Sequence, residues 1–250
     1  MRKFGLIGYP LGHSFSGNYF RDKFIHEQIT DCVYSNYEIE SISGLQKILK
    51  DPELEGLNVT IPYKESVIPF LHKKDPVVTA IGASNCIRIR DGILTGFNTD
   101  VIGFEKSLIE KLTAEDKYAL ILGTGGSSKA VAWVLQQKGI RFLYVSRKPD
   151  GKPDQISYQD LGRELMQQHT LIINTTPLGM FPKTNACPDL PYEYTGADHY
   201  FFDLVYNPSK TIFLEKGEAA GARVKNGSDM LSIQAEASWE IWNKSIHQTT

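Results

Sequence analysis

Cysteine is scarce in this 250-residue chain, with three in all. Cys32, Cys86 and Cys187 lie far apart with no Cys-x-x-Cys spacing, which excludes a zinc cluster of that kind and a disulfide framework and suits a reducing, cytoplasmic setting. Charge of either sign in excess is also lacking: 27 basic and 29 acidic side chains leave a formal net of -2. That balance supplies no field to gather nucleic acid or an anionic membrane, so the expected partner is a small molecule. Nor is there an apolar run near the roughly 20 residues that cross a bilayer. The first residues, Met1-Arg-Lys-Phe-Gly-Leu-Ile-Gly8, have the charge of a secretion signal, but their apolar run stops at Tyr9-Pro10 before an h-region forms. Internal repeats and low-complexity linkers are absent as well.

What is present is an alternation of strands and helices. With 41% hydrophobic residues the chain can bury a large core, and its length fits one or two domains, two being the expectation. Phe4 to Ile7, Val33 to Ile39, Leu57 to Ile61 and Cys86 to Ile89 read as strands between amphipathic stretches, an α/β domain over residues 1–98. Val101, Phe104, Leu108 and Leu112 recur at helical spacing, so a helix from Thr99 to Leu112 joins this domain to a second one. A last helix, from about Ser228, carries Met230, Leu231, Ala235, Ser238, Ile241 and Trp242 on one stripe. Such a terminal helix can pack back on the first domain, making that domain discontinuous.

The second domain opens with Tyr118 to Leu122, then Gly123-Thr124-Gly125-Gly126-Ser127-Ser128, then a helical run. Strand, glycine turn and helix in that order place backbone N–H groups against a pyrophosphate at a helix N-terminus. Ser128 takes the place of the third glycine of the dinucleotide fingerprint, and the loop by itself fits a plain turn too. At the end of the next strand, where NAD binders carry an acid for the ribose hydroxyl, the chain has Ser146-Arg147-Lys148. Two cations there suit a 2′-phosphate, which favours NADP over NAD; the alternative is a solvated surface turn. The fold class expected is α/β in two domains, the second a Rossmann-type doubly wound domain over residues 99–227.

In the first domain uncharged polar residues stand at strand ends: Ser14, Ser16, Asn58, Thr60, Asn85 and the run Asn98-Thr99-Asp100. Open α/β sheets bind ligands there, and such a set suits a polyhydroxylated one. Each also has a structural reading. Ser16 fits a helix N-cap with Phe15 and Phe20 as its hydrophobic staple, Asn98 or Thr99 could cap the joining helix, and Asn85 could turn a loop. His13 beside Ser14 lacks the Gly-x-Ser-x-Gly elbow of a hydrolase. Gln234 lies on the apolar stripe of the last helix, so it either bonds core backbone or faces a ligand.

Lys64 closes the stretch Asn58-Val-Thr-Ile-Pro-Tyr-Lys64, in which Pro62 reads as the first residue of a helix. A lysine in a first helical turn is opposed by the dipole, which eases loss of its proton. With Asp100 nearby it forms a candidate acid–base pair.

Taken in order, Gly8-Tyr-Pro-Leu-Gly-His-Ser-Phe-Ser16, Asn58-Val-Thr-Ile-Pro-Tyr-Lys64, Gly82-Ala-Ser-Asn85, Asn98-Thr-Asp100, Gly123-Thr-Gly-Gly126, Asn174-Thr-Thr-Pro-Leu-Gly-Met180, Asp203-Leu-Val-Tyr206 and Gly227-Ser-Asp-Met-Leu-Ser-Ile-Gln234 resemble the shikimate dehydrogenase family across nearly the whole chain. The resemblance implies NADP-dependent reduction of 3-dehydroshikimate to shikimate, on the route to aromatic amino acids. It implies a substrate domain of residues 1–98 completed by the helix 228–250, acting as a monomer or homodimer. Ser14, Ser16, Thr60, Asn85, Asp100, Tyr206 and Gln234 would contact substrate, Asn58 would shape the pocket, and Lys64 with Asp100 would be catalytic. Gly123, Thr124, Gly125, Gly126, Ser127 and Ser128 would hold the pyrophosphate, Ser146, Arg147 and Lys148 the adenosine end, and Thr175, Leu204 and Gly227 would lie near the nicotinamide.

Three stretches depart from the family pattern. Ser146-Arg147-Lys148 stands for Asn-Arg-Thr, Ala83-Ser84-Asn85 for Ala-Val-Asn, and the short segment Pro149 to Tyr158 leaves little room for a helix common there. The rival readings are a quinate or dual quinate/shikimate dehydrogenase, a non-catalytic dinucleotide or metabolite sensor, and a tetrahydrofolate dehydrogenase-like enzyme. The sensor needs no proton donor. The last would lack the Ser14/Ser16 pair and the Asn98-Thr99-Asp100 run.

Overall fold

The computed structural model describes residues 1–12 and 15–244, so the expectation for Ser14 lies outside the described residues. The chain divides into two compact units, Met1–Gly103 with the helix segment from Leu231, and Phe104–Met230.

The first unit runs β1 (Arg2–Gly8), α1 (Phe15–His26), β2 (Cys32–Glu38), α2 (Leu45–Ile48), β3 (Leu54–Val59), β4 (Lys73–Lys74), α3 (Pro76–Ile81), β5 (Cys86–Arg90), β6 (Ile93–Phe97) and the start of α4 (Thr99–Ile109). Its sheet is ordered β2-β1-β3-β5-β6-β4. β1 lies parallel to β2 and β3, while β3, β5 and β6 form an antiparallel run. β3 is buried along nearly its whole length, as a strand covered on both faces must be. The hairpin between β5 and β6 turns on Asp91 and Gly92, both with positive φ (50° and 73°), the geometry that an Asp-Gly pair adopts most readily. That dipeptide was a legible hairpin signal, and β6 is an element the strand assignments above omit.

One face of this sheet is an aliphatic core around Ile7, Leu45, Leu57, Val78 and Ile87. The other is aromatic, with Phe4, Phe20 and Trp242 fully buried. Trp242 comes from α8 (Ser228–Asn243), the last helix. Its ring stacks on Phe4 at 4.9 Å between centroids, and its indole N–H donates to Ile87 O at 3.0 Å. Gly56 makes room for it, since a Cβ there would lie 2.4 Å from the indole. Truncating a buried tryptophan of this kind costs about 3–5 kcal/mol. Gln234, Ser238 and Trp242 are spaced by four, so the packing that seats Trp242 also sets the rotation of the helix that presents the other two.

The second unit contains β7 (Tyr118–Leu122), α5 (Gly126–Gln137), β8 (Arg141–Ser146), β9 (Gln155–Ser157), α6 (Arg163–Gln168), β10 (Leu171–Asn174), β11 (Tyr200–Asp203), α7 (Ile212–Ala219), β12 (Arg223–Lys225) and the start of α8. Its sheet is ordered β12-β11-β10-β7-β8-β9 with every neighbour parallel. Counted from β7 this is the 3-2-1-4-5-6 order of a Rossmann-type sheet, reversing between β7 and β10. The expected α/β fold with a doubly wound second domain is therefore the fold observed. Residues 147–154 form only bends and a turn between β8 and β9, in keeping with the short Pro149 to Tyr158 segment.

Candidate functional site

The stretch from Asn58 to Lys64 folds differently from its sequence reading. β3 stops at Val59, and residues 61–67 close isolated turns, with Tyr63 N–H donating to Thr60 O at 2.9 Å and Val67 N–H to Tyr63 O at 3.0 Å. Only a short 3₁₀ turn, Ile68–Phe70, follows. Pro62 and Pro69 each lack an N–H and Val67 is β-branched, so no helical ladder propagates. Lys64 is thus not in the first turn of an α-helix, and the dipole argument for its reactivity falls away.

What holds Lys64 is a side chain. Its Nζ lies 2.8 Å from Asp100 Oδ2, and the two side chains are 13% and 8% exposed. The other carboxylate oxygen, Oδ1, accepts from Asn85 Nδ2 at 2.9 Å. Asp100 is therefore gripped at both oxygens, and the ammonium has a fixed acceptor in a nearly dry place. Coulomb attraction is far stronger there than in water.

Around this pair lies a buried polar network. Asn85 Oδ1 accepts from Thr99 N–H at 2.7 Å, and Asn85 Nδ2 also reaches Thr99 Oγ1 at 3.0 Å and Gln234 Oε1 at 3.1 Å. Thr99 Oγ1 meets Ser238 Oγ at 3.1 Å, and that hydroxyl accepts from Asn58 Nδ2 at 2.9 Å and donates to Gln234 O at 2.9 Å. Asn58 Oδ1 accepts from the Tyr34 hydroxyl at 2.9 Å. Burial pushes the Tyr34 phenol well up, so it stays a neutral donor, with the Ser16 hydroxyl also hydrogen-bonded to it. Gln234 thus bonds neighbouring side chains through Oε1, which accepts from Asn85 and Thr99, where core backbone or a ligand was expected.

Of the sequence candidates in this unit, Asn58, Lys64, Asn85, Asp100 and Gln234 are joined through these bonds, and Ser16 reaches the network through Tyr34. Thr60 sits beyond the end of β3, its backbone N–H on Ile7 O at 2.9 Å. Ser16 is inside α1, which begins at Phe15, and so is not its N-cap. Asn98 does cap α4, its Oδ1 accepting from Val101 N–H at 3.3 Å. Thr99, in the expected run Asn98-Thr99-Asp100, joins the network, whereas Tyr34 and Ser238 are members that the sequence reading misses. Ser238 stands four residues after Gln234 on the same stripe, a spacing that could have flagged it.

In the second unit the glycine loop has the form expected. Gly123 has φ of 102°, and a Cβ there would come within 2.9 Å of Thr176, so glycine is required by both backbone and packing. Gly125 is the N-cap of α5 with ordinary extended backbone, and a Cβ on it would meet no protein atom within 4 Å. The fold does not need glycine there, and its lack of a side chain leaves the N-terminus of α5 open on that side. Ser128 is buried, with its hydroxyl donating to Gly125 O at 2.7 Å, a tie no glycine could make. These residues fit a dinucleotide. Ser146 Oγ accepts from Lys148 N–H at 3.2 Å, which turns the exposed Arg147 and Lys148 out at the end of β8.

Thr175 follows β10 and donates from Oγ1 to Leu122 O at 2.6 Å. Leu204 follows β11, and Gly227 packs so closely on it that a Cβ would lie 2.4 Å from Leu204 O. Tyr206, two residues on, is half-buried, and burial raises its phenol. Beneath these loops Asp203 is fully buried, and desolvation pushes its carboxyl up to about 6. An open groove of about 660 Å³ lies at the opposite, N-terminal edge of this sheet, lined by Tyr118, Arg141 and His169 among others. The glycine loop and the Ser146 corner are both at the C-terminal edge, where open α/β sheets bind their ligands.

Residues 6–87 match the family model of the shikimate dehydrogenase substrate binding domain. A shikimate dehydrogenase (NADP(+)) of Caldicellulosiruptor bescii is 34% identical over 97% of this chain and 89% of its own length. The chain belongs to the shikimate dehydrogenase family. Among solved structures of the family, the chorismate mutase/shikimate 5-dehydrogenase fusion protein of Clostridium acetobutylicum superposes with a TM-score of 0.87 at 34% identity, covering 99% of this chain and 93% of that one. The shikimate 5-dehydrogenase of Thermus thermophilus in complex with NADP(H) and shikimate gives 0.85 at 29% identity, covering 97% of this chain and 94% of that one.

Proposed function

We propose that the protein catalyses the reversible, NADPH-dependent reduction of 3-dehydroshikimate to shikimate, with Lys64 as acid and base and Asp100 as its partner. The observation that carries the reading is the Lys64–Asp100 ion pair at 2.8 Å, set in a network of hydroxyls and amides. A family relative is a shikimate dehydrogenase (NADP(+)), and a family structure holds NADP(H) and shikimate.

In this reading residues 1–98 with the last helix bind substrate. Ser14, Ser16, Thr60, Asn85, Asp100, Tyr206 and Gln234 contact its hydroxyls and carboxylate, and Asn58 shapes the pocket. The second unit takes NADP, with Gly123 to Ser128 at the pyrophosphate, Ser146, Arg147 and Lys148 at the adenosine 2′-phosphate, and Thr175, Leu204 and Gly227 beside the nicotinamide. When bound, NADPH supplies the hydride for the carbonyl carbon. Lys64 then does what the chain must do: its ammonium stabilises the negative charge that develops on the carbonyl oxygen and delivers the proton. In the oxidative direction the neutral amine accepts that proton from the hydroxyl. Asp100, held by Asn85, keeps Nζ in one place through both directions. A cytoplasmic setting accompanies this reading; among the described residues no helix is long and apolar enough to cross a membrane.

The test is direct. Purified protein is mixed with shikimate or quinate and with NADP or NAD, and nicotinamide reduction is followed by absorbance. Turnover with shikimate and NADP, well above the other three combinations, is expected. Preferred turnover of quinate would move the protein to the quinate branch, and inactivity of folded protein in all four would overturn the proposal.

A further inference from the structure

The mechanism above leaves the fully buried carboxyl group of Asp203 without a task. Asp203 ends β11, and its carboxylate accepts from neutral donors: Asn174 Nδ2 at 2.9 Å and Val205 N–H at 3.0 Å on Oδ1, and Thr211 Oγ1 at 2.5 Å on Oδ2. A charge buried on neutral donors is costly to keep, so its bonds matter to what they hold.

They hold three chain segments at the C-terminal edge of the sheet. Asn174 ends β10, and while its amide N–H bonds Asp203, its Oδ1 accepts from Thr176 N–H at 3.0 Å and Thr176 Oγ1 at 2.6 Å. The loop after β10 is thereby shaped from its first residues, with Thr175 between the two anchors. Thr176 in turn packs against Gly123 of the glycine loop. The bond from Val205 N–H folds the chain back immediately after Leu204, whose own N–H donates to Asn174 O at 3.0 Å. Thr211 is the N-cap of α7, its hydroxyl accepting from Leu214 N–H while donating to Asp203.

We infer that Asp203 is a positioning residue for the dinucleotide side of the site: by joining Asn174, Val205 and Thr211 through one carboxylate, it fixes the loops that carry Thr175 and Leu204. The inference rests on the proposed function for the assignment of those loops to the nicotinamide. Asp203 touches no reacting atom and acts only through the loops.

The experiment compares Asp203→Ala, Asp203→Asn and Asn174→Ala with the wild type. NADP affinity is read by calorimetry, and kcat and both KM values with shikimate and NADP are read by absorbance. Asp203→Ala is expected to raise the NADP Kd and KM about 10-fold or more and lower kcat at least about 30-fold, with the shikimate KM within about 2-fold. Asp203→Asn keeps one oxygen for Asn174 and Val205 and is expected to recover most of the loss. Asn174→Ala cuts the same tie from the other side and should give the same split, which keeps the test open should Asp203→Ala fail to fold. A structural role alone would lower the thermal midpoint and the active fraction without moving NADP affinity or the KM split, and that result would overturn the inference. Wild type that binds NADP but does not oxidise shikimate would overturn the substrate reading and leave the calorimetric comparison to judge Asp203. Wild type that binds no NADP would overturn both.

Discussion

Asn58 on β3 donates its amide to the Ser238 hydroxyl on α8 at 2.9 Å, joining residues 180 positions apart in sequence. Through Ser238 the same contact reaches Thr99, and through Thr99 the Asn85 amide that grips Asp100. The last helix is therefore part of the framework of the proposed acid–base pair as well as a cover for the aromatic core.

Ser238→Ala should separate these two roles. Trp242 keeps its packing, but Asn58 and Thr99 lose a buried partner, a loss of about 1–3 kcal/mol. Urea unfolding should show that drop. Unchanged stability would mean that water or a rotated Asn58 amide substitutes for the hydroxyl.

Lys64→Ala should fold, because Asp100 keeps the Asn85 amide on its other carboxylate oxygen when the ammonium is removed. It should lose about 10²- to 10⁴-fold in kcat if Lys64 is the acid and base. A pH–rate profile of unchanged shape and height in the variant would remove Lys64 from the mechanism.

Arg147 is tested by its discrimination between cofactors. If the guanidinium meets a 2′-phosphate, Arg147→Ala should weaken NADP binding by roughly 10- to 150-fold, about 1.5–3 kcal/mol, and leave NAD binding nearly unchanged. Equal losses for the two cofactors would assign 2′-phosphate recognition elsewhere, with Lys148 and Ser146 the adjacent candidates.

Much of this was legible in the sequence. The parallel second sheet follows from its strand, glycine and helix order, and Lys64, Asp100, Asn85 and Gln234 stand out in the sequence as polar residues at strand ends and on an apolar stripe. What the sequence could not convey was how they meet. The Pro62 reading failed because a proline that suits a first helical turn suits an isolated turn as well, and the two prolines with Val67 stop the ladder from growing. The cap reading of Ser16 fails because the staple spacing of Phe15 and Phe20 does not fix where the helix starts, and α1 begins one residue before it. Ser238 and Asp203 carry no role in the sequence reading for another reason: a serine on an apolar stripe and an acid at a strand end are both common, and only three-dimensional contact gives either a task.

The pH dependence of stability gives a separate reading of Asp203. Its carboxyl titrates at about 6 in the folded chain against 3.8 for the ordinary side chain, because burial disfavours the charge. The folded state therefore binds more protons than the unfolded one between those values, and the group destabilises the fold as pH rises through that window. Replacing it with Asn removes the titration. The stability of Asp203→Asn relative to wild type should improve by about 2 kcal/mol on going from about pH 4.5 to about pH 7.5. Parallel stability curves over that range would show that Asp203 has an ordinary pKa in the folded protein.

Gly125 separates room for a ligand from the needs of the fold. A methyl group added there meets no protein atom, and the backbone is of a kind that alanine adopts freely, whereas at Gly123 the positive φ and Thr176 both oppose it. Gly125→Ala should therefore cost no more than about 1 kcal/mol, the range of an N-cap change. If Gly125 opens the approach to the α5 N-terminus, the same methyl should raise the NADP Kd by about 10-fold or more, because it stands where backbone N–H groups must come close to phosphate oxygens. Gly123→Ala should do the reverse, losing stability first through strain of about 1–3 kcal/mol. A Gly125→Ala protein that binds NADP as tightly as wild type would show that the pyrophosphate keeps clear of this residue and that the cradle is formed by Gly126 and Ser127 instead.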